Sequence, residues 1–227
     1  MLNGILLVDK APGWTSHDVV AKCRGILRER RIGHGGTLDP MATGLLVLLV
    51  GPSTKLSSRI PGDKEYIASM RFGLDTDTHD TEGKVVREYG FIPKTSELEA
   101  VLPQFRGELA QIPPMVSAIK IGGKKLYELA RKGIEIEREA RPVKINELSL
   151  QNENAGEYTL RVRCSAGTYI RALIRDIGHT LGTGAVMTAL RRTASGPFRV
   201  EDAVPVEAVH DRLLIQWTAD NTNIQGD

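Results

Sequence analysis

Hydrophobic periodicity along this chain changes repeatedly between strand spacing and helix spacing, and the order of these changes constrains the fold more than any other feature. Residues 5–8 and 45–50 are continuous apolar runs of strand length, and residues 64–72 alternate between apolar and polar positions. Residues 170–181 instead carry Ile and Leu at helical spacing. Because strands and helices do not follow the regular alternation of βαβ units, we predict an α+β fold with a mixed, mostly antiparallel central sheet flanked by helices and loops.

Two further helices are predicted from their first residues. Thr15 with Asp18, and Ser96 with Glu99, have the spacing of a capping box, in which each side chain accepts a hydrogen bond from a backbone N–H group at the start of a helix. Apolar side chains follow both pairs at helical spacing, so each pair is expected to begin a helix that buries one face. The second of these helices is expected to continue to Phe105.

The composition limits the compartment and the class of partner. With 227 residues, of which 41% are hydrophobic, the chain can bury a sizeable core. Its formal net charge of +2 is too small to identify a nucleic-acid-binding protein, so such a function would depend on local clusters of Lys and Arg. Cys23 and Cys164 lie in apolar segments, no secretory leader is apparent, and no apolar run is long enough to cross a bilayer. We therefore expect a soluble cytoplasmic protein with buried free thiols.

A glycine-rich segment, residues 33–40, contains the residues most open to a functional interpretation. It has neither the glycine order of a dinucleotide-binding loop nor the ending of a phosphate-binding P-loop. Asp39-Pro40 is a frequent start of a helix, because Asp caps helices and Pro fits their first turn. His34 has no partner at metal-ligand spacing. By spacing alone we predict a helix cap at Asp39 and no metal site.

Several other polar residues also have simple structural explanations. Residues 75–80 are acidic but lack the glycine and glutamate positions of a calcium-binding EF-hand, so we predict a hydrogen-bonded turn. Arg171 and Arg175 would be solvated charges above a buried helix face. Tyr66 and Tyr169 would be packing residues with exposed hydroxyl groups. Composition and periodicity thus assign no reaction.

Taken together, however, six segments resemble one family, the TruB-type tRNA pseudouridine synthases. They lie in the family's order and at its spacing, between about residue 4 and residue 198. The segments are residues 7–16, 33–40 (GHGGTLDP) with 42–44, 64–66, 73–83, 113–133, and 167–171 with 190–192. Each segment is a weak signal by itself, but six in register make a chance match implausible.

The resemblance implies a base-flipping enzyme that converts uridine to pseudouridine in the T loop of tRNA, at standard tRNA position 55. It implies that Asp39 is the catalytic carboxylate, that Arg171 pairs with Asp39 and keeps it ionised, and that Tyr66 stacks on the flipped uracil. Whether Asp39 attacks C1′, attacks C6 or removes the C2′ proton is left open. The family's chemistry needs no cofactor and no metal.

The resemblance also implies which residues bind the RNA. Tyr169 would position the base and the carboxylate, and Leu190 would pack against the base edge. His34 would fill the space that the flipped nucleotide leaves or contact its backbone, and Lys64 belongs to the same substrate-binding group. The basic residues expected to contact RNA phosphates are Lys22, Arg24, Arg28, Arg30, Arg31, Lys124, Lys125, Arg161 and Arg163.

The resemblance further divides the chain and names its partner. Residues 1–206 are expected to form the catalytic domain, and residues 207–227 a short tail in place of the PUA domain that many family members carry. The expected partner is the T arm of tRNA, bound by a monomer without a membrane or a small-molecule cofactor. Two alternatives stay open: a tRNA-binding or tRNA-folding module whose catalysis is secondary or lost, and a guide-RNA-dependent synthase of the dyskerin type.

Overall fold

Two compact units form the protein in the computed structural model. The model describes residues 2–60, 62–117, 119–130 and 133–216. The first unit takes its residues from Met1–Ile67 and Leu190–Asp227, and the second consists of Ala68–Ala189. Among the described residues, no helix is both long enough and apolar enough to span a membrane.

Strands and helices are mixed along the chain. The strands are β1 (Gly4–Lys10), β2 (Ile32–His34), β3 (Thr43–Val50), β4 (Lys64–Phe72), β5 (Leu74–Thr76), β6 (Val85–Glu88), β7 (Gly107–Gln111), β8 (Lys120–Ile121), β9 (Lys124–Lys125), β10 (Arg141–Asn154), β11 (Glu157–Cys164), β12 (Ala185–Ser195), β13 (Phe198–Arg199) and β14 (Val204–Pro205). The α-helices are α1 (Ser16–Leu27), α2 (Thr95–Val101), α3 (Leu126–Ala130) and α4 (Ile170–Thr180). Short 3-10 helices cover Gly51–Arg59, Leu102–Phe105, Val200–Asp202, Val206–Ala208 and Asp211–Leu213. The predicted α+β fold with a mixed sheet is confirmed.

The sheet of the first unit has the strand order β14-β1-β3-β12-β4, with β2 beside β3 and β13 beside β12. β1 and β3 are antiparallel over the whole length of β1, whereas β3 with β12 and β1 with β14 are parallel. All residues from Ile5 to Val8 and from Leu45 to Val50 are buried. Continuous apolar runs of this kind belong to strands that are covered on both faces. Phe198 and Val200 complete the core on the face that contains Ile5.

Helix α1 begins as its capping box predicts. The Thr15 hydroxyl oxygen accepts a hydrogen bond from the N–H of Asp18 at 3.1 Å, and the Asp18 carboxylate accepts one from the N–H of Thr15 at 2.8 Å. Hydrogen bonds from the Thr15 hydroxyl and N–H also lower the pKa of Asp18. The inner face of the helix, including Cys23, is buried, and the helix ends at Leu27 before Arg28 turns into the left-handed region with a φ of 51°.

The sheet of the second unit has the strand order β12-β4-β11-β10-β7, because β4 and β12 contribute residues to both units. β10 is antiparallel to β11 and to β7. The predicted strands at residues 143–150 and 158–164 are confirmed as parts of β10 and β11. Strand β7 was not predicted, since its sequence GELAQ lacks β-branched residues, and it forms by pairing with β10.

The predicted start of α2 is wrong by two residues, because the cap is Lys94 rather than Ser96, and its predicted length is too great. The helix begins at Thr95, and the carboxylate that accepts the N–H of Lys94 at 2.7 Å belongs to Glu97 rather than to Glu99. After Val101 the chain continues as a 3-10 helix to Phe105. Proline at position 103 explains the change, because it has no N–H to donate within a continuing α-helix.

Residues 206–216 return to the first unit as two short 3-10 turns and a bridge to β1. Ile215 and Ile5 exchange two backbone hydrogen bonds, each of 2.8 Å, and Val206 and Val209 are buried. Residues 217–227 lie outside the described residues. The division of the chain at residue 206 stays a prediction.

Replacing Thr15 by Ala is expected to lower the free energy of unfolding by about 1 kcal/mol, because the change leaves a helix N–H without its side-chain acceptor. Urea denaturation measures this loss. Thr81→Ala, at an exposed position of the second unit, is the matched control. Equal losses from the two changes would contradict the role of Thr15 as a cap.

Candidate active site

Asp39 lies in the first unit, at the end of the glycine-rich loop between β2 and β3. Its carbonyl oxygen accepts a hydrogen bond from the N–H of Ala42 at 3.1 Å, which closes a turn directly before β3. The prediction that Asp39 caps a helix is therefore wrong. The apolar run that follows pairs with β1 from Gly44 onward, so this strand pairing overrides the local preference of Asp-Pro for a helix start. The half-buried Asp39 side chain thus stands on a tight turn.

Two buried polar side chains hold the residues on either side of Asp39. The Ser16 hydroxyl accepts the N–H of Leu38 at 2.9 Å and donates to its carbonyl oxygen at 3.2 Å. The Lys10 ammonium donates to the carbonyl oxygen of Pro40 at 3.1 Å. Lys10 and Ser16 are only 1% and 3% exposed. Both neighbours of Asp39 in sequence are therefore fixed, and the carboxylate has little backbone freedom.

Arg192 and Lys64 approach the same loop. Arg192 is 1% exposed and donates to the carbonyl oxygens of Leu45 at 2.7 Å, Gly36 at 3.2 Å and Thr37 at 3.4 Å. A Cβ atom at Gly36 would lie 2.9 Å from the Lys64 ammonium nitrogen, so this lysine reaches the backbone of the loop closely. The loop that ends in Asp39 therefore carries two adjacent cations.

His34 is half-buried on strand β2. Burial lowers the pKa of His34 most, and the nearby His17, Arg192 and Lys64 lower it further. The rings of His34 and His17 meet edge to face, with their centroids 6.1 Å apart. The buried Nδ1 atom of His34 has no hydrogen-bond partner within the described part of the chain.

The first unit also contains Tyr66 and Leu190, which are 6% and 7% exposed. Burial of Tyr66 agrees with the alternating pattern of β4. Next to Leu190, Arg191 forms two hydrogen bonds with the carboxylate of Asp9, at 2.7 and 3.1 Å. The Asp9 carboxylate raises the pKa of Arg191. Sequence reasoning missed this pair, although both residues lie in segments that carry the family resemblance.

Arg171 lies in the second unit, in the first turn of α4, and is not the solvated charge that spacing alone predicts. It is 3% exposed. Its guanidinium donates to the carbonyl oxygens of Thr78 and Val116, both at 2.8 Å, and lies 3.6 Å from the Asp80 carboxylate. Asp80 in turn accepts the Thr78 hydroxyl at 2.5 Å and the N–H of Glu82 at 3.1 Å. The predicted hydrogen-bonded turn at residues 75–80 is confirmed, and it holds Arg171.

The structure brings five of the predicted site residues into the first unit and two into the second. Those of the first unit are His34, Asp39, Lys64, Tyr66 and Leu190, and those of the second are Tyr169 and Arg171. Tyr169 directly precedes α4. The predicted pairing of Asp39 with Arg171 stays a prediction.

His79 occupies the turn beside Asp80 and has a φ of 63°, in the left-handed region. Its carbonyl oxygen accepts the N–H of Met187 at 3.1 Å. Burial, followed by the charges of Arg175 and Arg171, lowers the pKa of His79 to about 4. The imidazole is therefore neutral at neutral pH and adds no further positive charge beside Arg171.

The basic residues proposed to contact RNA fall into separate groups. Arg28, Arg30 and Arg31 are exposed on the turn after α1. Arg161 and Arg163 are exposed on β11, where Arg163 lies 3.3 Å from the Glu147 carboxylate. The side chains of Lys124 and Lys125 lie outside the described part of the structure. Lys22 is exposed, whereas Arg24 donates to the Ile32 carbonyl oxygen at 2.8 Å and so supports β2.

A metal site would need several grouped His, Cys, Asp or Glu side chains among the described residues. Among them, no three His, Cys, Asp or Glu side chains are grouped so that they could hold a metal ion.

Two family models match the chain. Residues 24–170 match the TruB family pseudouridylate synthase N-terminal domain, and residues 171–225 match the tRNA pseudouridylate synthase B C-terminal domain. The tRNA pseudouridine synthase B of Heliobacterium mobile is 48% identical over 93% of this chain and 70% of its own length. That of Azoarcus sp. (strain BH72) is 50% identical over 92% of this chain and 70% of its own length.

Solved structures share the fold. A Cbf5-Nop10-Gar1 complex contains a chain that superimposes with a TM-score of 0.70 and 34% identity over 90% of this chain. An H/ACA RNP bound to a substrate RNA containing 2′-deoxyuridine gives a TM-score of 0.66 and 31% identity over 90% of this chain. This protein spans about half the length of those solved chains, 52% and 51%.

The mixed sheet and these relationships define a pseudouridine synthase, an enzyme of the isomerase class. Within that class, the chain belongs to the TruB family, because the family model covers most of its length and close relatives cover nearly all of it.

Lowering the pH is expected to destabilise the protein through His79. The pKa of His79 is about 4 in the folded state and near 6.5 in the unfolded chain, so the unfolded chain binds the proton first as the pH falls. The contribution of His79 to stability is therefore complete above about pH 6.5 and is lost progressively down to about pH 4. At pH 5 the free energy of unfolding has fallen by about 2 kcal/mol through this residue.

Urea denaturation at about pH 7.5 and about pH 5 measures this difference for wild type and for His79→Asn. Asn tolerates the left-handed backbone and does not titrate, so its pH dependence is expected to be smaller. The control is His210→Asn, at an exposed position, which is expected to behave as wild type. Identical pH dependence in the wild type and His79→Asn would show that His79 does not cause the loss of stability at low pH.

Proposed function

We propose that this protein isomerises uridine to pseudouridine in the T loop of tRNA, at position 55, with Asp39 as the catalytic carboxylate. The observation that carries the proposal is the fixed position of Asp39: Ser16 holds the residue before it and Lys10 the residue after it. Its tRNA pseudouridine synthase relatives, 48% and 50% identical, support the choice of reaction and of tRNA.

The reaction rearranges bonds within one nucleotide. The bond between uracil N1 and ribose C1′ breaks, the base turns, and a bond forms between C5 and C1′. The proton of C5 is released and N1 takes up a proton, so the nucleotide keeps its composition. A carboxylate beside the ribose can assist as a nucleophile or as a base. A backbone that is fixed before the substrate binds reduces the entropy cost of placing that carboxylate at the reacting carbon. The rigid turn at Asp39 meets this requirement.

The other site residues receive the roles that family membership suggests. Tyr66 stacks on the flipped uracil, Tyr169 positions the base, and Leu190 packs against its edge. Arg171 keeps the Asp39 carboxylate ionised, and its immobile guanidinium, held by Asp80 and two carbonyl groups, suits such a role. His34 and Lys64 bind the substrate nucleotide.

Recognition of the RNA rests on loop shape and phosphate contacts. A flipped nucleotide costs a few kcal/mol of stacking, and less in a loop that is already strained, such as the T loop. Arg28, Arg30, Arg31, Arg161 and Arg163 contact the backbone, together with Lys124 and Lys125. We further propose that the protein acts as a cytoplasmic monomer on tRNA.

A guide-RNA-dependent mode of action is the second candidate. It is favoured by the likeness to the chain of the Cbf5-Nop10-Gar1 complex, with a TM-score of 0.70. The pure protein acting on a bare tRNA transcript distinguishes the two modes, because a guide-dependent enzyme has no target under these conditions.

Asp39→Asn is expected to abolish pseudouridine formation while preserving tRNA binding. The amide keeps the shape of the side chain but supplies neither the nucleophile nor the base. Tritium release from a tRNA transcript labelled at uridine C5 measures turnover, and filter binding measures the dissociation constant.

Asp202→Asn, at an exposed position of the same unit, is the matched control and is expected to turn over at the wild-type rate. Turnover by Asp39→Asn within tenfold of wild type would rule out Asp39 as the catalytic carboxylate. Loss of tRNA binding with turnover intact in the control would instead assign Asp39 to binding.

Neutralising Arg28, Arg30 and Arg31 together is expected to weaken tRNA binding and to flatten its salt dependence. Each lost phosphate contact removes counterion release, so the slope of log K against log salt should fall by about 2 to 3. The control replaces three exposed arginines elsewhere, Arg141, Arg199 and Arg212, by Gln. An unchanged slope would remove the turn after α1 from the RNA interface.

A further inference from the structure

The side-chain amide of Gln111 binds both backbone groups of Tyr169. Gln111 is the last residue of β7 and is 4% exposed. Its carbonyl oxygen Oε1 accepts the N–H of Tyr169 at 2.8 Å, and its Nε2 donates to the carbonyl oxygen of Tyr169 at 3.1 Å. The two residues are 58 positions apart in sequence, and both belong to the second unit. A buried amide side chain thus binds the backbone of one residue of the candidate site.

Tyr169 stands at the start of helix α4, which has no side-chain cap of its own. Tyr169 is the N-cap, with φ −99° and ψ 109°, and its own side chain accepts no capping hydrogen bond. Its carbonyl oxygen also accepts the N–H of Leu173 at 3.1 Å, the first hydrogen bond of the helix. The conformation of Tyr169, and with it the direction of its side chain, therefore depends on a residue from a distant strand.

Few side chains could replace Gln111 at this place. The Tyr169 backbone presents one donor and one acceptor, and an amide supplies the complementary pair at once. A carboxylate offers acceptors only, and Met, which has a similar volume, offers neither partner. A buried polar group that loses its partner is destabilised, so a variant without the amide favours other conformations of Tyr169.

Arg171, two residues further on, is held independently. Its guanidinium is fixed by Asp80 and by the carbonyl oxygens of Thr78 and Val116. The buried residues Leu173, Ile174 and Ile177 fasten the body of the helix. Loss of the Gln111 amide should therefore loosen Tyr169 while Arg171 and the fold stay in place.

We propose that Gln111 is a positioning residue for pseudouridine formation: it fixes the backbone of Tyr169 so that the tyrosine side chain meets the flipped base. The inference rests on the proposed function, in which Tyr169 contacts the base. Gln111 itself does not touch the substrate. Its effect should appear in the rate of the bound complex rather than in tRNA affinity, because misplacement of a positioning group by about 1 Å can lower a rate roughly 100-fold.

The test compares Gln111→Met with Gln104→Met, the same change at an exposed position before β7. Single-turnover rates are measured at saturating tRNA, well below the melting temperature of each protein, with tRNA dissociation constants in parallel. For Gln111→Met we expect the rate to fall roughly 10- to 100-fold and the dissociation constant to stay within about twofold. Gln104→Met should match wild type in both.

Fluorine NMR reports directly on the tyrosine. The chain has five tyrosines, so replacement by 3-fluorotyrosine gives five resonances, and Tyr169→Phe identifies the one that belongs to Tyr169. In Gln111→Met this resonance should shift or broaden, whereas that of Tyr158, buried on β11, should stay unchanged.

An unchanged Tyr169 resonance in Gln111→Met, or an unchanged single-turnover rate, would overturn the inference. A shift of both the Tyr169 and the Tyr158 resonances in Gln111→Met would also overturn the inference, because it would indicate a general loss of structure. Absence of pseudouridine formation by the wild type would instead refute the proposed function, and the fluorine spectra would still decide whether Gln111 fixes Tyr169.

Discussion

Buried cations that donate to backbone carbonyl groups hold the loops of this protein in place. Lys10, Arg192 and Arg171 are each no more than 3% exposed, and each donates at least one hydrogen bond to the carbonyl oxygen of a loop residue. A charge removed from water is costly unless it is fully hydrogen-bonded, so these loops cannot move away without leaving the cation uncompensated. The hydrogen bonds that compensate for burying these charges therefore also keep the loops rigid.

This rigidity matters most at Asp39. The loop joins the sheet directly, since the turn at Asp39 leads into β3 and β3 pairs with the full length of β1. Lys10, at the end of β1, binds the residue after Asp39, and Ser16, at the start of α1, binds the residue before it. Sheet, helix and loop thus meet at the turn that carries Asp39, which is the arrangement expected where a reaction requires a preplaced group.

The sequence predicted the parts of this architecture that depend on local pattern. The apolar run at residues 45–50, the alternation in β4 and the capping box at Thr15 all appear as expected. The predictions were wrong where contacts between distant residues determine the local structure. Asp39 precedes a strand that pairs with β1 instead of capping a helix, and Arg171 is buried beside Asp80 instead of being solvated. Periodicity says nothing about partners far apart in the chain, and only the family resemblance singled out Asp39 and Arg171 beforehand.

Mapping the product on tRNA tests directly whether this protein converts the uridine at position 55 to pseudouridine. Purified protein is incubated with a tRNA transcript and with a second transcript that has cytidine at position 55, and pseudouridine is located by carbodiimide modification followed by primer extension. If this protein modifies uridine 55, the first transcript gives a stop at position 55 and the second gives none. Pseudouridine at another position, or none in either transcript, would contradict the account.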